Sequence, residues 1–127
     1  MEKNIDKPDG FFVKTEYHLE KIKFDQLLFV ESSRDNIKIY LAEKVDPVIT
    51  QMTIKDLEDQ LPSSEFMRVH RSFIVNLRAI DLVERNRIGV GNQYIPVAES
   101  YKSEFQKYLK KTYIVNACQL KFSFFLF

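Results

Sequence analysis

The sequence predicts a mostly-β domain of about ten short strands with one short internal helix and a C-terminal helix. Three observations predict it. Short β-prone apolar runs recur along the chain and are separated by turn residues, only two stretches carry helical apolar spacing, and 127 residues leave room for one domain. With 45% hydrophobic and 29% charged residues, that domain has the composition of a globular chain able to bury a single core without disulfides or structural metal.

The elements follow in order. The polar residues 1–10, ending in Asp9-Gly10, read as a leader or interdomain linker. Phe11 to Tyr17 and Leu19 to Ile22 are short strand-like pieces joined by a tight turn, and Phe24 to Leu27 is too short for more than one helical turn. Leu28 to Ser32 reads as a buried strand; Arg34-Asp35-Asn36 supplies turn residues, and Ile37 to Leu41 alternates with period two, so the pair predicts a hairpin. Val48 to Thr50 is another short strand. Thr53 is a candidate N-cap for a helix whose Ile54, Leu57 and Leu61 share one face, with Asp56 in its first turn and Pro62 ending it. Phe66–Val69, Phe73–Val75 and Ala79–Val83 return to strand, with a turn at Arg85-Asn86-Arg87. Ile88–Val90 and Tyr94–Val97 flank Gly91-Asn92, a hairpin dipeptide if both residues take positive φ. Ser100 is a candidate cap for a last helix with an apolar stripe of Tyr101, Phe105, Tyr108 and Leu109.

Catalysis and cofactor binding find little here. The only imidazoles are His18 and His70, and nothing local pairs His70 with the single cysteine, Cys118. No CxxC or HExxH spacing occurs, and three glycines supply neither GxGxxG nor a P-loop. The expectation is a non-enzymatic protein with no metal and no cofactor. The longest apolar run, at the C-terminus, is far short of the roughly 20 residues that span a bilayer, and no N-terminal hydrophobic stretch precedes the domain, so a cytoplasmic location without membrane association is expected.

The formal net charge of +1 conceals an uneven distribution. Residues 1–65 carry nine Lys/Arg against fourteen Asp/Glu, whereas residues 66–111 carry nine against four. A basic segment attached to an acidic one suits a surface that attracts a polyanion. The basic segment opens with Phe66-Met67-Arg68-Val69-His70-Arg71-Ser72-Phe73-Ile74-Val75-Asn76-Leu77-Arg78, in which Arg68, His70, Arg71, Ser72, Asn76 and Arg78 alternate with apolar anchors. Such side chains donate to phosphate oxygens, and Arg or Asn also reads base edges bidentately. The competing reading has His70 and Asn76 holding a turn through side-chain-to-backbone hydrogen bonds, and for Asn76, at the end of an apolar strand, it is the better one.

This passage, together with Leu28-Phe29-Val30-Glu31-Ser32, Ile37-Lys38-Ile39, Ala79-Ile80-Asp81, Tyr94-Ile95-Pro96-Val97 and Tyr101-Lys102, resembles the LytTR DNA-binding domain of bacterial response regulators over Phe11 to about Leu109. The resemblance implies an elongated fold of small antiparallel sheets whose loops, rather than a recognition helix, enter successive major grooves of duplex DNA. It divides the chain into a leader at 1–10, the domain at 11–111 and an apolar extension of unassigned role at 112–127. It implies that a loop around Asn36 and Lys38 reaches one groove, that Arg71 and Ser72 lie over bases or phosphates, that Arg85 and Arg87 clamp the backbone, and that Ser100 and Lys102 contact the far groove or its phosphates. It further implies a sequence-specific transcriptional regulator, the output domain of a two-component system with an upstream receiver domain, monomeric alone and dimeric on repeated sites.

Two positions depart from the family. Members commonly carry a base-reading arginine just after the Ile-Pro-Val strand, where this chain has Glu99, which cannot donate to guanine. Some use histidine near Ile37. Both departures bear on which DNA sequence is read rather than on the domain assignment. The alternative function is a LytTR-like protein-interaction module that has lost specific DNA binding, with Glu99 as its sign.

Overall fold

A computed structural model describes residues 8–112. It contains ten strands: β1 (Gly10–Lys14), β2 (Leu19–Lys23), β3 (Leu27–Ser33), β4 (Asn36–Leu41), β5 (Val48–Gln51), β6 (Phe66–His70), β7 (Phe73–Asn76), β8 (Ile80–Val83), β9 (Arg87–Val90) and β10 (Gln93–Pro96). Helix α1 (Ile54–Gln60) lies between β5 and β6, and α2 (Lys102–Thr112) follows β10. All strand pairs are antiparallel, in a two-stranded sheet β1-β2, a three-stranded sheet β10-β9-β8 and a five-stranded sheet β5-β4-β3-β7-β6.

The five-stranded sheet is covered on both faces, and the pleat decides which residues go where. Because side chains alternate across a strand, Val30, Ile37, Ile39, Leu41, Val48 and Ile74 point into one core, shared with Val13 and Ile22 of the β1-β2 hairpin and with Ile54 and Leu57 of α1. Phe29 and Val75 point into the other, shared with Ile88, Val90 and Ile95 of the three-stranded sheet and Phe105 of α2. The stacked rings of Phe29 and Tyr40, 4.4 Å apart, lie on this second face.

Local chemistry sets the ends of the elements. Thr53 caps α1, its hydroxyl accepting from the Asp56 amide at 3.1 Å, and the helix stops at Leu61, just before Pro62. Asn76 is buried and holds a crossing point: its amide donates to the carbonyls of Leu27 (2.7 Å) and Phe24 (3.2 Å), and its side-chain oxygen accepts from the Arg78 amide (3.0 Å). That fits the turn-holding reading of Asn76.

Several boundaries differ from the sequence expectation. The first strand starts at Gly10, inside the expected leader, because the Asp9 carbonyl accepts from Phe24 N–H at 2.9 Å and the Asp9 carboxylate pairs with Lys21 at 2.8 Å. Ala79 belongs to a 3₁₀ turn at Leu77–Ala79 capped by Asn76, so β8 begins one residue later. In the Gly91-Asn92 hairpin only the glycine takes positive φ, 61°, which suits a turn with glycine at its first central position. Ser100 does not cap α2; it lies inside a second 3₁₀ turn, Glu99–Tyr101, through which the chain enters the helix. The extension beyond Thr112 and Cys118 lie outside the described residues.

Candidate nucleic-acid interface

The sheet order brings two turns to one end of the molecule. β3 ends and β4 begins at Arg34-Asp35, while β6 ends and β7 begins at Arg71-Ser72, and with β7 beside β3 both turns leave the same edge. They are bonded to each other: the Ser32 amide donates to the Ser72 carbonyl at 2.9 Å. Arg34 occupies the left-handed region at φ 57°, among the described residues the only non-glycine to do so, and its side chain is exposed at the turn.

The Arg71-Ser72 turn is held by its own strand. The Ser72 amide donates to His70 Nδ1 at 3.0 Å, which requires an unprotonated Nδ1, and the His70 ring meets Phe73 edge-on at 5.6 Å. Arg68 reaches along the turn, with Nε donating to the His70 carbonyl (3.1 Å), Nη2 to the Arg71 carbonyl (2.5 Å) and Nη1 to Glu58 of α1 (2.7 Å). Arg71 is thereby presented to solvent on a backbone whose polar groups are satisfied from below.

A second cluster adjoins the first. The Ala98 amide donates to the carbonyl of Val69, two residues before Arg71, and the Val97 amide donates to the carbonyl of Asn86, each at 2.9 Å. These bonds place the 84–87 turn beside Glu99–Lys102, and both beside the end of β6. Within the cluster, Lys102 donates to the Asn86 side-chain oxygen and lies 3.4 Å from the Glu99 carboxylate. Its side chain is only 13% exposed, whereas that of Glu99 is 91% exposed. Arg87 pairs with Glu84 at 2.5 Å and lies 3.7 Å above the Tyr94 ring. The neighbouring Glu84 carboxylate pushes the guanidinium pKa further up.

The sequence-derived candidates therefore fall into groups. Asn36, Arg71 and Ser72 share the double-turn end, and Arg85, Arg87, Ser100 and Lys102 share the second cluster. Lys38 stands apart from the turn with which it was grouped. It is the third residue of β4, half-buried, paired across the sheet with Glu31 and Ile49. Glu31 in turn accepts from the Tyr40 hydroxyl at 3.4 Å, and burial first, with the Glu31 charge second, pushes the Tyr40 phenol up and keeps it a donor. Sequence reasoning passed over Arg34 as a contact, although it opens the turn tripeptide. Arg68, one of the phosphate-donor candidates of the basic segment, spends all three of its nitrogen groups on protein.

Among the described residues no group of three or more His, Cys, Asp or Glu is placed to hold a metal ion, and no helix is long and apolar enough to cross a membrane. α1 and α2 bury Ile54, Leu57 and Phe105 against the sheets, and they are not consecutive in the chain. The two clusters thus lie at turns and at the ends of the elements that adjoin them.

Comparison with known proteins shows the family. The family model for the LytTr DNA-binding domain matches residues 17–110. The chain belongs to the LytTR family of DNA-binding domains. Its fold agrees: a solved LytTr DNA-binding domain from Bacillus cereus superposes with a TM-score of 0.70 at 25% identity, over 81% of this chain and 98% of that one. Curated relatives of the LytTR domain include the sensory transduction proteins LytT of Bacillus anthracis and Bacillus cereus, each 29% identical over 114 residues. LytT of Bacillus subtilis is 38% identical over 63 residues, 45% of this chain and 26% of that protein. The alignments with the first two take in 80% of this chain and 46% of the relative, so the chain spans about half the length of the curated relatives it matches. The expected family and the mostly-β fold of small antiparallel sheets are both borne out.

Proposed function

We propose that this LytTR domain binds duplex DNA sequence-specifically as the output domain of a two-component transcriptional regulator, with turns entering successive major grooves. The observation that carries the reading is the pair of turns at 34–35 and 71–72, joined by the Ser32–Ser72 hydrogen bond and continued by the Arg85–Arg87 and Ser100–Lys102 segments. Rigid turns carrying exposed Arg34, Arg71 and Arg85 suit contact with phosphate and with the donor and acceptor edges of the major groove. Asn36 and Ser72 supply neutral hydrogen-bonding groups beside them, and Lys38 lends positive charge behind the turn. Among the described residues neither helix has the adjacent partner that helix-turn-helix docking uses.

The relatives are named as sensory transduction proteins and are about twice as long, which supports an upstream receiver domain, a cytoplasmic location and a regulatory role. On this reading the domain alone is a monomer, and paired receivers present two copies to a repeated site, raising avidity without new protein–DNA contacts. Light scattering of the domain is expected to give 15.1 kDa; twice that mass contradicts it.

The test of specificity is selection from a random duplex pool. Enrichment of one motif supports the reading, and recovery of unenriched sequence overturns it. The second reading, a protein-interaction module without specific DNA binding, draws on the exposed Glu99 beside Lys102 and predicts the unenriched result.

A further inference from the structure

Arg68 lies on β6, an edge strand of the five-stranded sheet, and faces α1. The register shifts between Arg68 and His70, so Val69 falls outside the regular pairing, and the ladder closes on the turn with one last pair, His70 with Phe73. The guanidinium adds a second hold on that turn. It is 15% exposed and makes three bonds at once: to the Glu58 carboxylate on one side and to the carbonyls of His70 and Arg71 on the other. Both carbonyls flank the residue whose side chain points to solvent. From Ser72 the fixed backbone continues to the 34–35 turn through the Ser32 amide.

We infer that Arg68, anchored by Glu58 of α1, is a positioning residue that presets the Arg71-Ser72 turn, and through Ser72 the neighbouring turn, in the conformation that meets DNA. This rests on the DNA-binding reading above. Arg68 does not contact DNA; it acts through Arg71. The three acceptors are met by three different nitrogens of one planar group, whereas lysine carries all its donors on a single nitrogen and cannot span them, so lysine, with the same charge, does not replace it. A contact group already held in place binds without the cost of ordering, and that advantage is greatest for base reading, which tolerates least displacement.

The test compares the native chain with Arg68→Lys and with the milder Glu58→Gln, which keeps an oxygen acceptor and leaves the remaining bonds intact. Two readouts are used. The first is amide hydrogen exchange without DNA: exchange at Ser32, whose partner is the Ser72 carbonyl, is expected to speed up about tenfold in Arg68→Lys, while Phe24, bonded to Asp9 far from the turn, is unchanged. The second is the ratio of affinities for a duplex enriched by the native chain and a scrambled duplex of equal length. This ratio is expected to fall about tenfold with the salt slope on the scrambled duplex unaltered. Glu58→Gln is expected to shift both in the same direction by less. Exchange that rises equally at Ser32 and Phe24, with equal loss on both duplexes, means ordinary destabilisation and overturns the inference. So does local loosening with an unchanged ratio. If the native chain enriches no duplex, the DNA reading itself has failed and the inference fails with it, while the exchange data still report whether the brace exists.

Discussion

The two halves of the charged surface are built on opposite principles. At the double-turn end the side chains of Arg34 and Arg71 have no carboxylate partner among the described residues, and the backbone beneath them is locked by Arg68, His70 and the Ser32–Ser72 bond. In the second cluster the reverse holds: Arg87 is paired with Glu84 and Lys102 with Glu99 and Asn86, and Arg85 alone has no carboxylate partner among the described residues. The first region can meet phosphate or base as it stands. The second must exchange carboxylate for phosphate, so its cations contribute less than their number suggests. Exposed ion pairs are weak, typically below about 1 kcal/mol, and a phosphate can displace them.

Four changes break or sharpen this contrast. The largest effect is expected from Phe105→Ala, which empties the core beneath the second cluster and should cost about 3–5 kcal/mol of unfolding free energy by denaturant titration. If the two regions are as distinct as described, the Ser32 amide, bonded to the Ser72 carbonyl at the double-turn end, keeps its protection in that variant under native conditions. Next, Arg71→Ala should reduce affinity for an enriched duplex by about 1–3 kcal/mol and relax specificity at one position, with stability changed by less than about 0.5 kcal/mol because the Arg71 carbonyl, not its side chain, is held. Uniform weakening on all sequences assigns Arg71 to phosphate instead.

A smaller effect of opposite sign is expected in the second cluster. Glu84→Gln with Glu99→Gln removes two negative charges and frees Arg87 and Lys102, so duplex affinity should rise by about 1 kcal/mol at low salt, measured by fluorescence anisotropy. No gain means the carboxylates hold the loop rather than screen it. The smallest effect lies away from both regions. The Lys44 ammonium, and then His18, hold Glu20 below the usual carboxylate range, so Glu20 contributes stability that is present above the ordinary glutamate pKa and is lost as pH falls through the lowered folded value. Glu20→Gln should flatten the acid limb of a stability profile slightly and leave DNA affinity at neutral pH unchanged.

What was legible in the sequence followed local chemistry. Thr53 with Pro62 bounded α1, Gly91-Asn92 made a hairpin, and the period-two run Ile37–Leu41 fixed which face of β4 is buried. The same alternation implied that Lys38 lies on a sheet face beside Glu31, yet grouping it with Asn36 put it in the loop. Ser100 is ambiguous in the sequence because a serine before a helical stripe looks the same whether it caps the helix or sits in the 3₁₀ turn that leads into it. Arg68 was beyond local reading altogether. Its role depends on the register shift before His70 and on Glu58 of α1 reaching Arg68 on β6, a contact between segments that only the tertiary fold brings together. The carboxylate partners of Arg87 and Lys102 lie only three residues away in each case, so that spacing could have exposed them.

The most direct test of the central claim is the salt dependence of duplex affinity. If the exposed Arg34, Arg71 and Arg85 neutralise phosphate while Arg87 and Lys102 stay paired, the slope of log affinity against log salt should be about −2.7; if Arg87 and Lys102 also exchange their carboxylates for phosphate, it should approach about −4.5. A slope between these limits agrees with turns that meet DNA through cations in two different states of readiness. Affinity that does not change with salt, or no duplex binding even at low salt, contradicts it.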